Sequence, residues 1–200
     1  MTRRTTPEPA GSPPAIRVPF PLGTWARSPQ GRRRLLRAAL AGNAVLTALM
    51  APSEITLRRR GGQGIVAFEL AGTPDRATAL LAKWGPHGRA AARRQLYLDY
   101  PYMLTYGLIG VLLTAAAEDR SRRRHPPTTI GALVAWAQIA AVASDAIENA
   151  ALLGILRGQI GILPAVARRA ALTKFGLLGL GLGYTTNLTA GEGIGRRHQR

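Results

Sequence analysis

The chain has 200 residues, no cysteine, and 27 basic against 10 acidic side chains, for a formal net charge of +17. That length holds one domain with a tail, and the missing cysteine excludes disulfides and thiolate metal sites. A soluble protein this basic would point to nucleic acid. Here, however, the arginines gather at the ends of apolar runs, at 32–34, 58–60, 122–124, 168–169 and 196–197. Topogenic charges and anionic-lipid contacts are arranged in that way. The expected partners are therefore membrane lipids, with anionic ones at the arginine clusters, and no nucleic acid.

Residues 1–31 carry seven of the fourteen prolines among Ser, Thr, Gly and Arg. Such a stretch cannot bury a core and is expected to be a disordered tail. The membrane domain is expected over 32–190, with a basic C-terminal tail at 191–200.

The first apolar run, 35–57, is expected to be the weakest span, because it is alanine-rich and holds Asn43 near its middle. A long join follows. Its Ile-Val-Ala-Phe-Glu-Leu stretch at 65–70 reads as a short extended segment. Thr73 then caps a helix that has Pro74 and Asp75 in its first turn. Ala77, Leu80, Leu81 and Trp84 share one face of this helix, at about 74–84. It is expected either to lie at the membrane interface with Trp84 as an anchor or to pack on the end of the bundle. Gly85 to Gly88 should break it. The second span is expected at 97–117, kinked at Pro101, the third at 130–153 and the fourth at 170–188.

Short joins make this an all-α protein, a transmembrane four-helix up-down bundle with an amphipathic interfacial helix between the first and second spans. Gly176, Gly179, Gly181 and Gly183 would let a neighbour approach the fourth span closely, and Gly179 and Gly183 have the spacing of a close helix contact. That contact is expected within the molecule, with a homo-oligomer through the same glycines as the alternative. Counting Lys and Arg side by side gives 15 against 11 in favour of both termini lying in the cytoplasm. The location implied is the cell membrane.

Ionisable residues inside such spans cost roughly 2.5–3.5 kcal/mol each at the helix centre, which makes them functional candidates by default. At a rise of 1.5 Å per residue, Asp99 lies about 3 Å inside the second span and Lys174 about 6 Å inside the fourth. Glu148 and Asp145 lie about 8 and 12 Å from the end of the third. In an alternating bundle those ends share one side of the membrane, the extracytoplasmic one on the arginine count. Asp145, Glu148 and Asn149 share a face of the third span, and Gln138 continues that stripe. Asp99, Tyr102 and Tyr106 share a face of the second. The candidate polar layer is thus Asp99, Tyr102, Tyr106, Asp145, Glu148, Asn149 and Lys174. Lys174 should lie within reach of an acid, with Asp145 favoured, then Glu148, then Asp99.

Several roles stay open for this layer. It could hold a lipid or amphiphile head group, perform acid/base work, form a purely structural network, carry protons or ions, or bind a hard divalent cation through its oxygens. The layer has no histidine, which argues against zinc. No cofactor motif or serine triad is visible, and no enzyme class follows.

One resemblance adds to this. Phe68-Glu69-Leu70-Ala71-Gly72-Thr73, Trp84-Gly85-Pro86, Leu98-Asp99-Tyr100 with Tyr106, Asp145-Ala146-Ile147-Glu148-Asn149 and Lys174-Phe175 together resemble a group of small bacterial four-span membrane proteins. The resemblance covers about 35–188. It implies a membrane fold and these polar positions, and it implies no reaction.

Overall fold

The computed structural model describes residues 18–22, 28–121 and 129–197. Most of the proline-rich tail and the basic turn at 122–124 lie outside the described residues. All regular structure among the described residues is helical: α1 (Pro29–Gly61), α2 (Ile65–Glu69), α3 (Pro74–Ser121), α4 (Ile130–Leu156) and α5 (Leu163–Arg197).

The helix ends follow local chemistry. Ser28 Oγ accepts from the Gly31 amide at 3.4 Å, with Pro29 in the first turn of α1. Gly62, with φ of 72°, returns its amide to the Arg58 carbonyl at 2.8 Å and ends the helix. Thr73 Oγ1 accepts from the Arg76 amide at the start of α3, as the sequence predicts.

Antiparallel neighbours are visible in the side-chain contacts. Along α1 and α3, Arg32 meets Asp119, Asn43 meets Thr105 and Glu54 meets Gln95. Along α3 and α4, Asn149 meets Asp99 and Tyr106 meets Asp145. Along α4 and α5, Lys174 meets Asp145, and Gln138 reaches the Leu177 carbonyl. α3 and α5 run parallel and touch through the Tyr184 hydroxyl, which donates to Glu118. α1 packs along α3, whereas α5 packs along α4 and part of α3.

Two expectations need correction. The 65–70 stretch is one turn of helix, not an extended segment. Its branched and aromatic residues favour a strand only where a neighbouring strand exists, and none lies among the described residues. Instead, Glu54 Oε2 accepts the Ile65 amide at 3.0 Å, satisfying a donor at the start of α2. Trp84, cast as an interfacial anchor, is wholly buried. The face formed by Ala77, Leu80, Leu81 and Trp84 turns inward, onto a core with Leu57, Phe68, Leu96, Leu152 and Ile155. Trp84 meets Phe68 edge-on at 5.4 Å. The amphipathic pattern therefore records packing against α1, α2 and α4.

Gly85 is the one non-helical residue inside α3, with φ of 62° and ψ of −169°. Only glycine adopts this conformation cheaply, and the chain turns there from the end-capping helix into the long one. Beyond it the helix runs through Pro101 without another non-helical residue. Gly85→Ala is expected to destabilise the fold by about 1–3 kcal/mol, read as a lower unfolding midpoint in detergent. An unchanged midpoint would mean that the turn is not fixed by this residue.

Three helices, α1, α3 and α4, are long and apolar enough to cross a membrane. The first run, expected to be the weakest, is among them. α5 is long but does not qualify, since glycine and threonine dilute its apolar residues.

Candidate functional site

Polar and apolar side chains are distributed inside out on α4. Gln138, Asp145, Glu148 and Asn149 are at most 2% exposed, whereas Leu133, Trp136 and Ile147 are 44–55% exposed. In water this would waste apolar burial. In a bilayer it is the economical arrangement, with polar groups turned inward to find one another.

The buried acids surround one cation. The Lys174 ammonium lies 2.9 Å from Asp145 Oδ1, 2.8 Å from Glu148 Oε2 and 3.9 Å from Glu69 Oε2. Asp145 Oδ2 accepts the Tyr106 hydroxyl at 2.6 Å, and Tyr102 packs edge-on to Tyr106 at 5.8 Å. Asn149 donates to Asp99 Oδ2 at 2.6 Å. The seven residues singled out by spacing thus come together, with one difference in pairing. Lys174 divides itself between Asp145 and Glu148, while Asp99 pairs with Asn149.

Three neighbours fall outside the expected layer: Glu54 and Glu69, which the sequence places on its side of the membrane, and Gln95. Glu69, at the end of α2, reaches Lys174 from outside the spans. Burial holds its carboxyl above the usual carboxylate range despite the pull of that ammonium. Glu54 of α1 accepts from Arg58 Nε at 2.6 Å and from Gln95 Nε2 at 3.4 Å. Gln95 itself is buried, and no donor reaches its Oε1. A signal for Gln95 was present, because 95, 99, 102 and 106 form one stripe at helical spacing. For Glu69 the sequence gives only the side of the membrane, and its approach to Lys174 depends on the turn of α2.

Glu54, Glu69, Gln95, Asp99, Tyr102, Tyr106, Asp145 and Lys174 line the polar end of a cavity of about 680 Å³, with Glu148 and Asn149 behind that wall. Its wall on α3 runs from Gln95 and Asp99 through Tyr102 and Tyr106 to Ile109 and Leu113, changing from polar to apolar over about 27 Å. Thr47, Met50, Ala51 and Glu54 of α1 form one flank, and Phe175, Leu178, Leu182 and Thr185 of α5 the other. α1 and α5 have no packed seam between them, so the cavity faces sideways.

Gln138 closes the floor between α3, α4 and α5. A Cβ at Gly110 would lie 2.7 Å from its Oε1, and one at Gly181 would lie 2.2 Å from its Nε2. Those two glycines make the close approach. At Gly176, Gly179 and Gly183 an added Cβ would have nothing within 4 Å, so of the four glycines expected to allow a close approach Gly181 makes it, and the Gly179/Gly183 spacing does not.

Among the described residues, no group of three or more His, Cys, Asp or Glu side chains could hold a metal ion. The centre of the acid cluster is taken by the Lys174 ammonium. No protein-family model, curated protein or solved structure matches this chain.

Proposed function

We propose that this is a multi-pass protein of the cell membrane, an up-down bundle of α1, α3, α4 and α5, whose intramembrane polar site binds the head group of a lipid or amphiphile. The observation that carries this reading is the sideways-facing cavity, with carboxylates at one end and mostly apolar side chains along the rest. Its volume, about 680 Å³, falls within the roughly 300–1,000 Å³ of small-molecule sites. The basic-residue bias supports cytoplasmic termini, which would set the polar end on the extracytoplasmic side.

A second reading, a structural network without a ligand, is favoured by the direct bonds among Lys174, Asp145 and Glu148. Retaining three carboxylates around one ammonium is nevertheless more than helix pairing requires, since buried pairs barely break even against apolar packing.

Two steps test the proposal. Alkaline carbonate and high salt should leave the protein in the membrane, and detergent should release it. Release by salt would remove the membrane reading. Mass spectrometry of the detergent-purified chain should then find an amphiphile that is retained by the wild type and lost from Asp145→Asn. Retention by neither would favour the structural network.

A further inference from the structure

We infer that the occupant of the cavity is a single-chain amphiphile with a cationic amine head, seated on Asp99 and Gln95. This rests on the reading of the cavity as an amphiphile site and names the chemistry that it selects.

The charges that face the cavity decide the sign. Glu69, Asp99 and Asp145 line it from α2, α3 and α4, with Glu54 of α1 already balanced by Arg58, and Lys174 is the only cation among the described lining residues. That ammonium is already held by Asp145 and Glu148 at 2.9 and 2.8 Å, with Glu69 at 3.9 Å. A phosphate or carboxylate head would meet several carboxylates and no free cation. An ammonium would meet the opposite field.

The hydrogen bonds point the same way. Among the described residues no Lys or Arg pairs with Asp99, whose Oδ2 takes one amide donor from Asn149. One turn away on the same stripe, Gln95 is 5% exposed and its Oε1 lies buried without a donor. A buried acceptor left unpaired is costly. The site thus lacks N–H donors next to a carboxylate, and an alkylammonium brings three. Tyr102, one turn further along, adds an aromatic face beside the cation.

The rest of the cavity takes the chain. Ile109 and Leu113 on α3, and Leu178 and Leu182 on α5, wall a single apolar groove. The gap between α1 and α5 lets an amphiphile enter from the bilayer without leaving it.

The test uses the full chain in a neutral sugar detergent at pH 7, titrated with hexadecylamine, hexadecanol or hexadecyl phosphate and read by native mass spectrometry. Hexadecylamine should bind at least tenfold more tightly than hexadecyl phosphate. Asp99→Asn should cost the amine about tenfold, which corresponds to about 1.4 kcal/mol, and leave hexadecanol unchanged. Ile109→Trp, which narrows the apolar groove and leaves the polar end intact, should weaken the amine and the alcohol alike. This second variant keeps the test decisive if Asp99→Asn does not fold. Equal binding of all three probes would overturn the cation selectivity but leave the amphiphile site standing. Amine binding unaffected by Asp99→Asn and by Ile109→Trp would overturn this seat. Binding of none of the probes would remove the site itself.

Discussion

Lys174→Met is expected to cost about 3–5 kcal/mol of stability, because it strands carboxylates that the ammonium now balances. The lysine side chain is 8% exposed, and those of Asp145 and Glu148 are 2% and 0% exposed. Buried to that degree, these acids gain little water once the cation is gone. Asp145 keeps the Tyr106 hydroxyl, but one neutral donor does not replace a charge. Adding Asp145→Asn to Lys174→Met should therefore recover part of the loss, with a coupling of about 0.5–3 kcal/mol between the sites. The recovery should be incomplete, since Glu148 and Glu69 remain. Thermal unfolding of wild type, both single variants and the double variant in one detergent closes the cycle. Strictly additive losses would mean that Lys174 and Asp145 act independently, and the reading of one charge cluster would fail.

The second large effect is expected at a glycine. Gly181→Ala places a Cβ 2.2 Å from Gln138 Nε2. A flexible amide would ordinarily move aside. This one is pinned, because it donates to the Leu177 carbonyl at 3.1 Å and Gly110 presses on its other side. The alanine must push α5 away from α4 or break that bond, and overpacking of this kind costs about 1–3 kcal/mol. Gly179→Ala makes the matched control. Nothing lies within 4 Å of its added Cβ, so the higher helix propensity of alanine should leave stability unchanged or raise it by up to about 1 kcal/mol. A loss at Gly179 equal to that at Gly181 would show that α5 is rotated relative to the arrangement described. A loss accompanied by a change in oligomeric mass would instead place Gly179 at a contact between two copies.

Much of the site was legible along the chain because helices impose a period. Asp145, Glu148 and Asn149 at i, i+3 and i+4 must share a face, and an acid on a membrane helix must turn toward partners. The depth of each charge follows from the rise per residue, so the meeting of α3, α4 and α5 at one level could be read without coordinates. The amphipathic face at 77–84 was equally plain, because its period is local.

Three things depended on the tertiary structure. What the 77–84 face packs against was one: hydrophobic period says that a face is covered, and only the fold says whether protein or lipid covers it. The conformation of 65–70 was another, since its propensity is overruled by the Glu54 carboxylate at the Ile65 amide and by Phe68 against Trp84. That turn also carries Glu69 to Lys174, which no spacing within a span encodes. The last is the glycine that matters. Gly179 and Gly183 have the better sequence pattern, but Gly181 faces Gln138 because the rotation of α5 is set by Lys174 reaching Asp145 and Glu148. A helix's period is a property of its sequence, whereas its rotation against its neighbours is a property of the contacts that they make together.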